Sequence, residues 1–91
     1  MLINSISDFR RAMRHGPFTG LGGYPVFFIM SDGEPLSFEA AKKERRLILE
    51  ALADGDKRGG WLPYALDVNY EDSALFCAHT GDKIPSAYAD D

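Results

Sequence analysis

The chain has 91 residues, of which 45% are apolar and 26% are charged. This length and composition are typical of one globular domain, here residues 1–91, and they exclude a disordered chain. The longest apolar run, Val26 to Met30, is too short to cross a bilayer, and the N-terminus MLINSISDFRR is too polar for a signal peptide. One cysteine forms no internal disulfide. We therefore expect a cytoplasmic protein without a membrane partner.

Negative charge is concentrated in the last third of the chain. Residues 1–60 contain nine Lys and Arg against eight Asp and Glu, whereas residues 61–91 contain one lysine against six acids. Such an acidic segment repels phosphate backbones, so we expect no general nucleic-acid binding. It either binds a basic partner or only keeps the protein in solution.

The first predicted element is a helix from about Ser5 to His15. Ser5 is a suitable N-cap with Asp8 at the third helical position, and Gly16 follows where the helix should end. Three apolar residues at helical spacing should face the core: Ile6, Phe9 and Met13. The glycine-rich stretch GPFTGLGG that follows precedes a strand and not a helix, so it lacks the arrangement of a phosphate-binding loop.

A buried strand and a tight hairpin come next. Tyr24 to Met30 is apolar on both faces, as in a central strand that is covered on both sides. Asp32-Gly33 is a strong signal for a hairpin turn, because both positions accept positive φ. It predicts a short return strand from Pro35 to Phe38.

The second predicted helix runs from about Ser37 to Asp54, with Ser37 as its N-cap and Gly55 at its C-terminal end. Its core positions are Ala41, Ile48 and Leu52. The basic block KKERR, residues 42–46, lies in the middle of this helix. This block is either a solvated face with i,i+4 ion pairs or a nucleic-acid-binding surface.

Trp61 to Tyr70 is predicted to be a long strand with one buried face. That face consists of the alternating residues Leu62, Tyr64, Leu66, Val68 and Tyr70. Ala74 to Ala78 should be a short strand, and Ile84 to Tyr88 a last extended piece. The expected fold is α+β, a small, mainly antiparallel sheet of three to four strands packed with two helices. Its outer strands would offer edges through which a homodimer can form.

The segment CAHTGDKIP, residues 77–85, contains the only cysteine and one of the two histidines. Cys77 and His79 are two residues apart, which on a strand places both on one face, yet zinc usually needs three or four ligands. A catalytic thiolate needs a lowered pKa, whereas the apolar neighbours and negative charge around Cys77 should raise its pKa. We expect a buried cysteine beside a turn. The alternative is a small metal-binding module centred on Cys77 and His79.

A chain of this size leaves little room for a catalytic cleft, so we expect no enzymatic activity and no cofactor. Trp61 lies off the apolar stripe of its strand, either as an anchor for a partner or as a cover for the second face of the sheet. We expect a protein with a basic surface as the partner. The expected partner-binding residues are Asp67, Glu71, Asp72, Asp82, Trp61 and Tyr70.

Residues 67–72 and 77–88 resemble the end of a type of small uncharacterised protein from tailed phages and prophages, with the pattern VNxED…CxHTGxxIxSAY. The segments SxxDFRRAxRxGP, GGYPVxF, SDG and LSF resemble the same proteins. The resemblance implies a phage context but no catalytic residues. Small accessory phage proteins commonly bind host proteins, and inhibitors of host defence, such as anti-CRISPR proteins, are one such group. The expected function is therefore protein–protein interaction with a host protein, in the host cytoplasm.

Overall fold

The structure is a computed structural model, and it describes residues 1–18, 23–56, 58–70, 72 and 74–86. Part of the glycine-rich stretch, Glu71 and the end of the last predicted extended piece lie outside the described residues. The elements are α1 (Ile6–His15), β1 (Val26–Met30), β2 (Pro35–Ser37), α2 (Phe38–Lys43), α3 (Arg45–Asp54) and β3 (Pro63–Val68). This arrangement confirms the predicted α+β class. Within these residues, no helix is long and apolar enough to cross a membrane.

The three strands form an antiparallel sheet of order β2-β1-β3. Phe28 of the central strand lies opposite Leu36 on one side and Leu66 on the other, so these three residues share a face. The buried ring of Phe28 is 5.5 Å from the ring of Phe9 in α1 and 6.2 Å from that of Phe38 in α2. The helices therefore pack on this face, and the core lies between them and the sheet.

The cap predicted for α1 is present. Ser5 Oγ accepts the backbone N–H of Asp8 at 3.2 Å, and Asp8 Oδ2 accepts the N–H of Asn4 at 3.0 Å. Two donors at the start of the helix are thereby satisfied, as in a capping box displaced by one residue. Phe9 is buried as predicted, but the other fully buried residue of α1 is Ala12. Ile6 and Met13 are only partly buried.

The single long helix predicted from Ser37 to Asp54 is wrong, because the chain turns at Glu44 between α2 and α3. Glu44 has φ −104° and ψ 26°, outside the helical region, and its carbonyl accepts Leu47 N at 3.0 Å to begin the second helix. The turn lets Ala41 of α2 and Ile48 of α3 both reach zero exposure. Both predicted ends are confirmed, since Ser37 Oγ caps α2 through Ala40 N at 3.1 Å and Gly55 is left-handed.

The predicted buried face of the third strand is also wrong in its outer parts. Pro63 and Ala65 are buried, whereas Tyr64 is 57% and Tyr70 is 51% exposed. The pairing shifts here, because Ala65 lies opposite Ile29 but Pro63 lies opposite Met30. Tyr64 is therefore the extra residue of a β-bulge, which disrupts the alternation of faces on which the prediction depended. Leu66 and Val68, the middle of the predicted stripe, do pack against the core.

Both edges of the sheet have neighbours. The N-terminal residues lie along β3, where Met1 O accepts Leu66 N at 2.7 Å and Ile3 N donates to Tyr64 O at 2.9 Å. Ala78 N donates to Pro35 O at 2.9 Å on the outer edge of β2. These contacts cover backbone groups through which edge strands associate. The expected homodimer stays a prediction.

The short strand predicted from Ala74 to Ala78 is replaced by a turn-rich segment. Within the described residues, its one ladder contact is an isolated antiparallel bridge between Phe76 and Lys83. Cys77 N donates to Asp82 O at 2.8 Å and Gly81 N donates to Cys77 O at 2.8 Å. The backbone groups of Cys77 therefore form their hydrogen bonds within this segment. A continuous strand is not formed because these groups are used within the turn.

Candidate functional site

The described residues of the predicted partner-binding set fall in different parts of the fold. Asp67 lies opposite Phe27 near the start of β1. Trp61 comes two residues before Pro63, and Pro63 lies opposite Met30 at the end of β1. The four residue-to-residue steps from Pro63 to Asp67 place these positions roughly 13 Å apart along the strand. Asp82 lies in the turn-rich segment and Glu71 lies outside the described residues. The structure therefore does not bring the whole set together.

The acidic–aromatic surface, defined as Tyr24, Asp67, Tyr70 and Asp72, lies where β1 begins and β3 ends. The rings of Tyr24 and Tyr70 are 5.4 Å apart at an angle of 60°. Tyr70 is about half exposed, and both carboxylates are exposed. Phe18, which pairs through its backbone with Pro25, is a further half-exposed aromatic residue beside Tyr24. Sequence analysis did not single out Phe18, because it lies in a glycine-rich stretch without periodicity.

Asn69 organises the chain around this surface. It is the one buried polar residue in the described part of the chain, with 4% exposed. Its Nδ2 donates to the carbonyls of Asp72 and Pro85 at 3.1 Å each, and Oδ1 accepts Asp72 N at 3.1 Å. A third carbonyl, that of Ile84, lies 3.3 Å from Nδ2. Sequence analysis missed Asn69. The available signal was an asparagine that ends a strand and precedes two acids.

The thiol of Cys77 is buried, as predicted, with 2% of the residue exposed. Its Sγ accepts the N–H of Ser37, the N-cap of α2, at 3.4 Å. Burial alone raises the pKa of this thiol, but hydrogen bonds from the backbone and side chains of Ser37 and Thr80 outweigh it and lower the pKa to about 7. The expectation of a raised pKa is therefore wrong. The donors come from residues that sequence analysis had not connected to Cys77.

His79 has different partners. Its Nε2 lies 3.3 Å from Oε2 of Glu44, and its ring meets the ring of Trp61 at 5.0 Å and 71°, edge to face. This contact joins the turn-rich segment to the junction of α2 and α3. Within the described ranges, no three His, Cys, Asp or Glu residues come together in a way that could hold a metal ion. The second histidine, His15, lies in the last turn of α1.

The basic block lies across the junction of α2 and α3. Its lysines and arginines are exposed, and Arg46 Nε lies 4.0 Å from Oε1 of Glu50, one of the predicted i,i+4 pairs. Arg45 Nη1 donates to the carbonyl of Lys42 at 3.0 Å, at the end of α2. These contacts favour the solvated face over a nucleic-acid-binding surface.

Comparison with known proteins gives no match from which a function could be inferred. No family model matches the chain, and no curated protein or solved structure matches it. The resemblance to small phage proteins stays a prediction. Three positions of its pattern now have visible structural roles: Asn69 holds the C-terminal segment, Cys77 accepts hydrogen bonds at the cap of α2, and His79 contacts Glu44 and Trp61.

Proposed function

We propose that the protein acts without catalysis, by binding a partner protein that has a basic surface. The observation that carries this proposal is the acidic–aromatic surface, where the half-exposed Tyr70 ring packs against Tyr24 and the exposed Asp67 and Asp72 lie within three residues of Tyr70 in the chain. Tyrosine is enriched among the residues that dominate interface energies, because it supplies a large, rigid and amphipathic contact. Carboxylates around such an anchor select partners of opposite charge and speed up association.

The surroundings of the surface support this role. Asn69 fixes the turn through four short contacts, so the surface is ordered before a partner arrives and binding costs less conformational entropy. The nucleophile with the lowered pKa, Cys77, is buried and its sulfur is occupied by Ser37. This burial favours binding over a reaction at the thiol.

The resemblance to phage proteins favours a host protein as the partner. An acidic protein of this kind would cover a basic surface that normally holds nucleic acid. Host defence proteins, including CRISPR effectors, have such surfaces. We propose them as the first class of partner to test, which makes the protein an inhibitor of host defence of the anti-CRISPR kind.

Affinity capture from host lysate tests the proposal with the double variant Asp67→Asn/Asp72→Asn. Asparagine keeps the Oδ1 acceptors that cap Val68 N and Ala74 N, so the variant removes charge and not structure. The matched control is Glu39→Gln/Asp54→Asn, which removes the same charge from α2 and α3.

The expected result is a basic partner that wild type and control retain at low salt, that the Asp67/Asp72 variant loses, and that high salt elutes. Tyr70→Ala should also lose this partner at low salt, although the substitution removes no charge. Equal recovery of every captured protein by wild type and both tested variants would refute the proposal.

A further inference from the structure

A second feature lies at the opposite end of the sheet from the acidic–aromatic surface. A small pocket opens between the β1–β2 turn, the loop before β3 and the turn-rich segment, with a volume of about 170 Å³. Its walls include Met30, Leu36 and Trp61, and its rim carries Asp32 and Glu34. Sites for small organic ligands begin at roughly 300 Å³. The pocket therefore has the size for one side chain.

The rim of the pocket carries two carboxylates that pair with no cation among the described residues. Oδ1 of Asp32 accepts the backbone N–H of Glu34 at 3.0 Å. Oδ2 of Asp32 lies over Gly60, 3.6 Å from where a Cβ on that residue would be, and accepts nothing among the described residues. Both acids are exposed, and within the described ranges neither forms an ion pair with a lysine or arginine. A cation at this rim would therefore meet two carboxylates that no described lysine or arginine neutralises.

The indole of Trp61 is held in place at the same pocket. The rings of His79 and Trp61 meet edge to face at 5.0 Å, and His79 is itself fixed by Glu44 through the 3.3 Å contact. Trp61 is partly buried, so one part of the ring packs on the core while another lines the pocket. Tryptophan is the aromatic residue that attracts a cation most strongly over its face. Because its ring is already positioned, a cation that binds here orders little else.

We infer that this pocket binds the guanidinium group of an arginine side chain from the partner protein. The flat guanidinium stacks on an indole and donates several hydrogen bonds to carboxylates at once, whereas an ammonium does neither as well. The inference rests on the proposed function, since it names a side chain that the basic partner supplies. It adds a second contact, which is separate from the acidic–aromatic surface.

The test is a titration of the full chain with acetyl-Gly-Arg-Gly-amide, followed at the indole N–H resonance of Trp61. This resonance is unambiguous because the chain has one tryptophan. The control peptide carries citrulline, which has nearly the same shape as arginine but no charge. The arginine peptide should shift the resonance in a saturable way, a lysine peptide should bind more weakly, and the citrulline peptide should cause no saturable shift.

Two variants locate the binding. Asp32→Asn/Glu34→Gln keeps an acceptor for Glu34 N but removes both charges, and it should weaken peptide binding about fivefold. Ala78→Leu keeps both charges and places a larger side chain at the exposed position that lines the pocket, so it should abolish the shift. The inference is overturned if the citrulline peptide binds equally well. It is also overturned if Ala78→Leu still binds the arginine peptide as wild type does.

The same peptides separate this inference from the proposed function. Asp67→Asn/Asp72→Asn should leave the peptide titration unchanged, because these residues lie at the other end of the sheet. If wild type captures its partner through the acidic–aromatic surface but does not bind the arginine peptide, only the inference about the pocket is refuted. If wild type binds the peptide at Trp61, but the Asp67→Asn/Asp72→Asn variant captures the same proteins as wild type, only the proposed surface is refuted.

Discussion

Replacing Asn69 by alanine should destabilise the protein strongly for a single polar substitution. Asn69 is 4% exposed, and its amide faces three carbonyls and one N–H. Nδ2 has two hydrogens for three carbonyls, so the side chain makes about three effective bonds. At about 1 kcal/mol for each bond, the free energy of unfolding should fall by about 3 kcal/mol. In a domain of this length that lowers Tm by roughly 12 to 24 °C.

Urea unfolding, followed by circular dichroism and by Trp61 fluorescence, measures this loss. Asn4→Ala is the matched control, since Asn4 is exposed, and it should change the free energy of unfolding by less than about 0.5 kcal/mol. A loss below about 1 kcal/mol for Asn69→Ala would refute the role given to this residue. It would mean that the C-terminal segment is held by other contacts.

Asn69→Asp tests the same network through its dependence on pH. A carboxylate here faces carbonyl oxygens, so folding raises the pKa of the new acid above its unfolded value of about 3.9. A group with a raised folded-state pKa is stabilising below the unfolded pKa and loses that contribution as pH rises through the folded one. The deficit of Asn69→Asp against wild type should therefore be small at low pH and grow as pH rises above about 4. A deficit that does not change with pH would contradict this account.

Other substitutions test the contacts around Cys77 and His79. The lowered pKa of Cys77, about 7 against an ordinary 9.0, contributes stability above the unfolded pKa and loses it as pH falls through the folded one. Wild type should thus gain about 1 to 3 kcal/mol over Cys77→Ala between pH 7 and pH 9, and parallel profiles would refute the shift. Ser37→Ala should cost about 1 kcal/mol through the loss of the α2 cap, as Ser5→Ala should for α1. Ser37→Ala keeps the backbone N–H that donates to Sγ of Cys77 but removes the hydroxyl, which also lowers the pKa of that thiol, so this variant alone should raise the pH at which Cys77 reacts with a thiol reagent. His79→Gln removes the partly exposed contact with Glu44, so it should cost less than about 1 kcal/mol while changing Trp61 fluorescence, and a larger loss would show a structural role.

The parts of the fold that sequence predicts well depend on short-range signals. Ser5 with Asp8 defines the start of α1, and Asp32-Gly33 defines the turn between β1 and β2. Gly55 ends α3 because a left-handed residue is needed there. In each case, the residues that decide the structure lie within a few positions of one another.

The parts that sequence misses depend on contacts between distant residues. The break at Glu44 carries no proline or glycine. The break is stabilised because Ala41 in α2 and Ile48 in α3 are both buried, although the two helices have different axes. It is also stabilised by the contact of Glu44 with His79, 35 positions later. The bulge at Tyr64 is likewise set by its pairing with β1. Helical periodicity and strand alternation cannot register such tertiary contacts.

The candidate site shows the same division. Exposed acids at Asp67 and Asp72 were expected from composition, because charged residues at strand ends and turns are usually solvated. The pairing of Tyr24 with Tyr70 joins residues 46 positions apart, and the donor of the Cys77 thiol lies 40 positions away at Ser37. Only the folded sheet brings these residues together.

The central claim is that the carboxylates of the acidic–aromatic surface bind a basic protein. The most direct measurement is quantitative mass spectrometry of proteins captured from host lysate by wild type, by Asp67→Asn/Asp72→Asn and by the matched Glu39→Gln/Asp54→Asn variant. The account predicts one dominant basic protein that is present with wild type and control and depleted with the Asp67/Asp72 variant. Identical captured sets for all three proteins would contradict it.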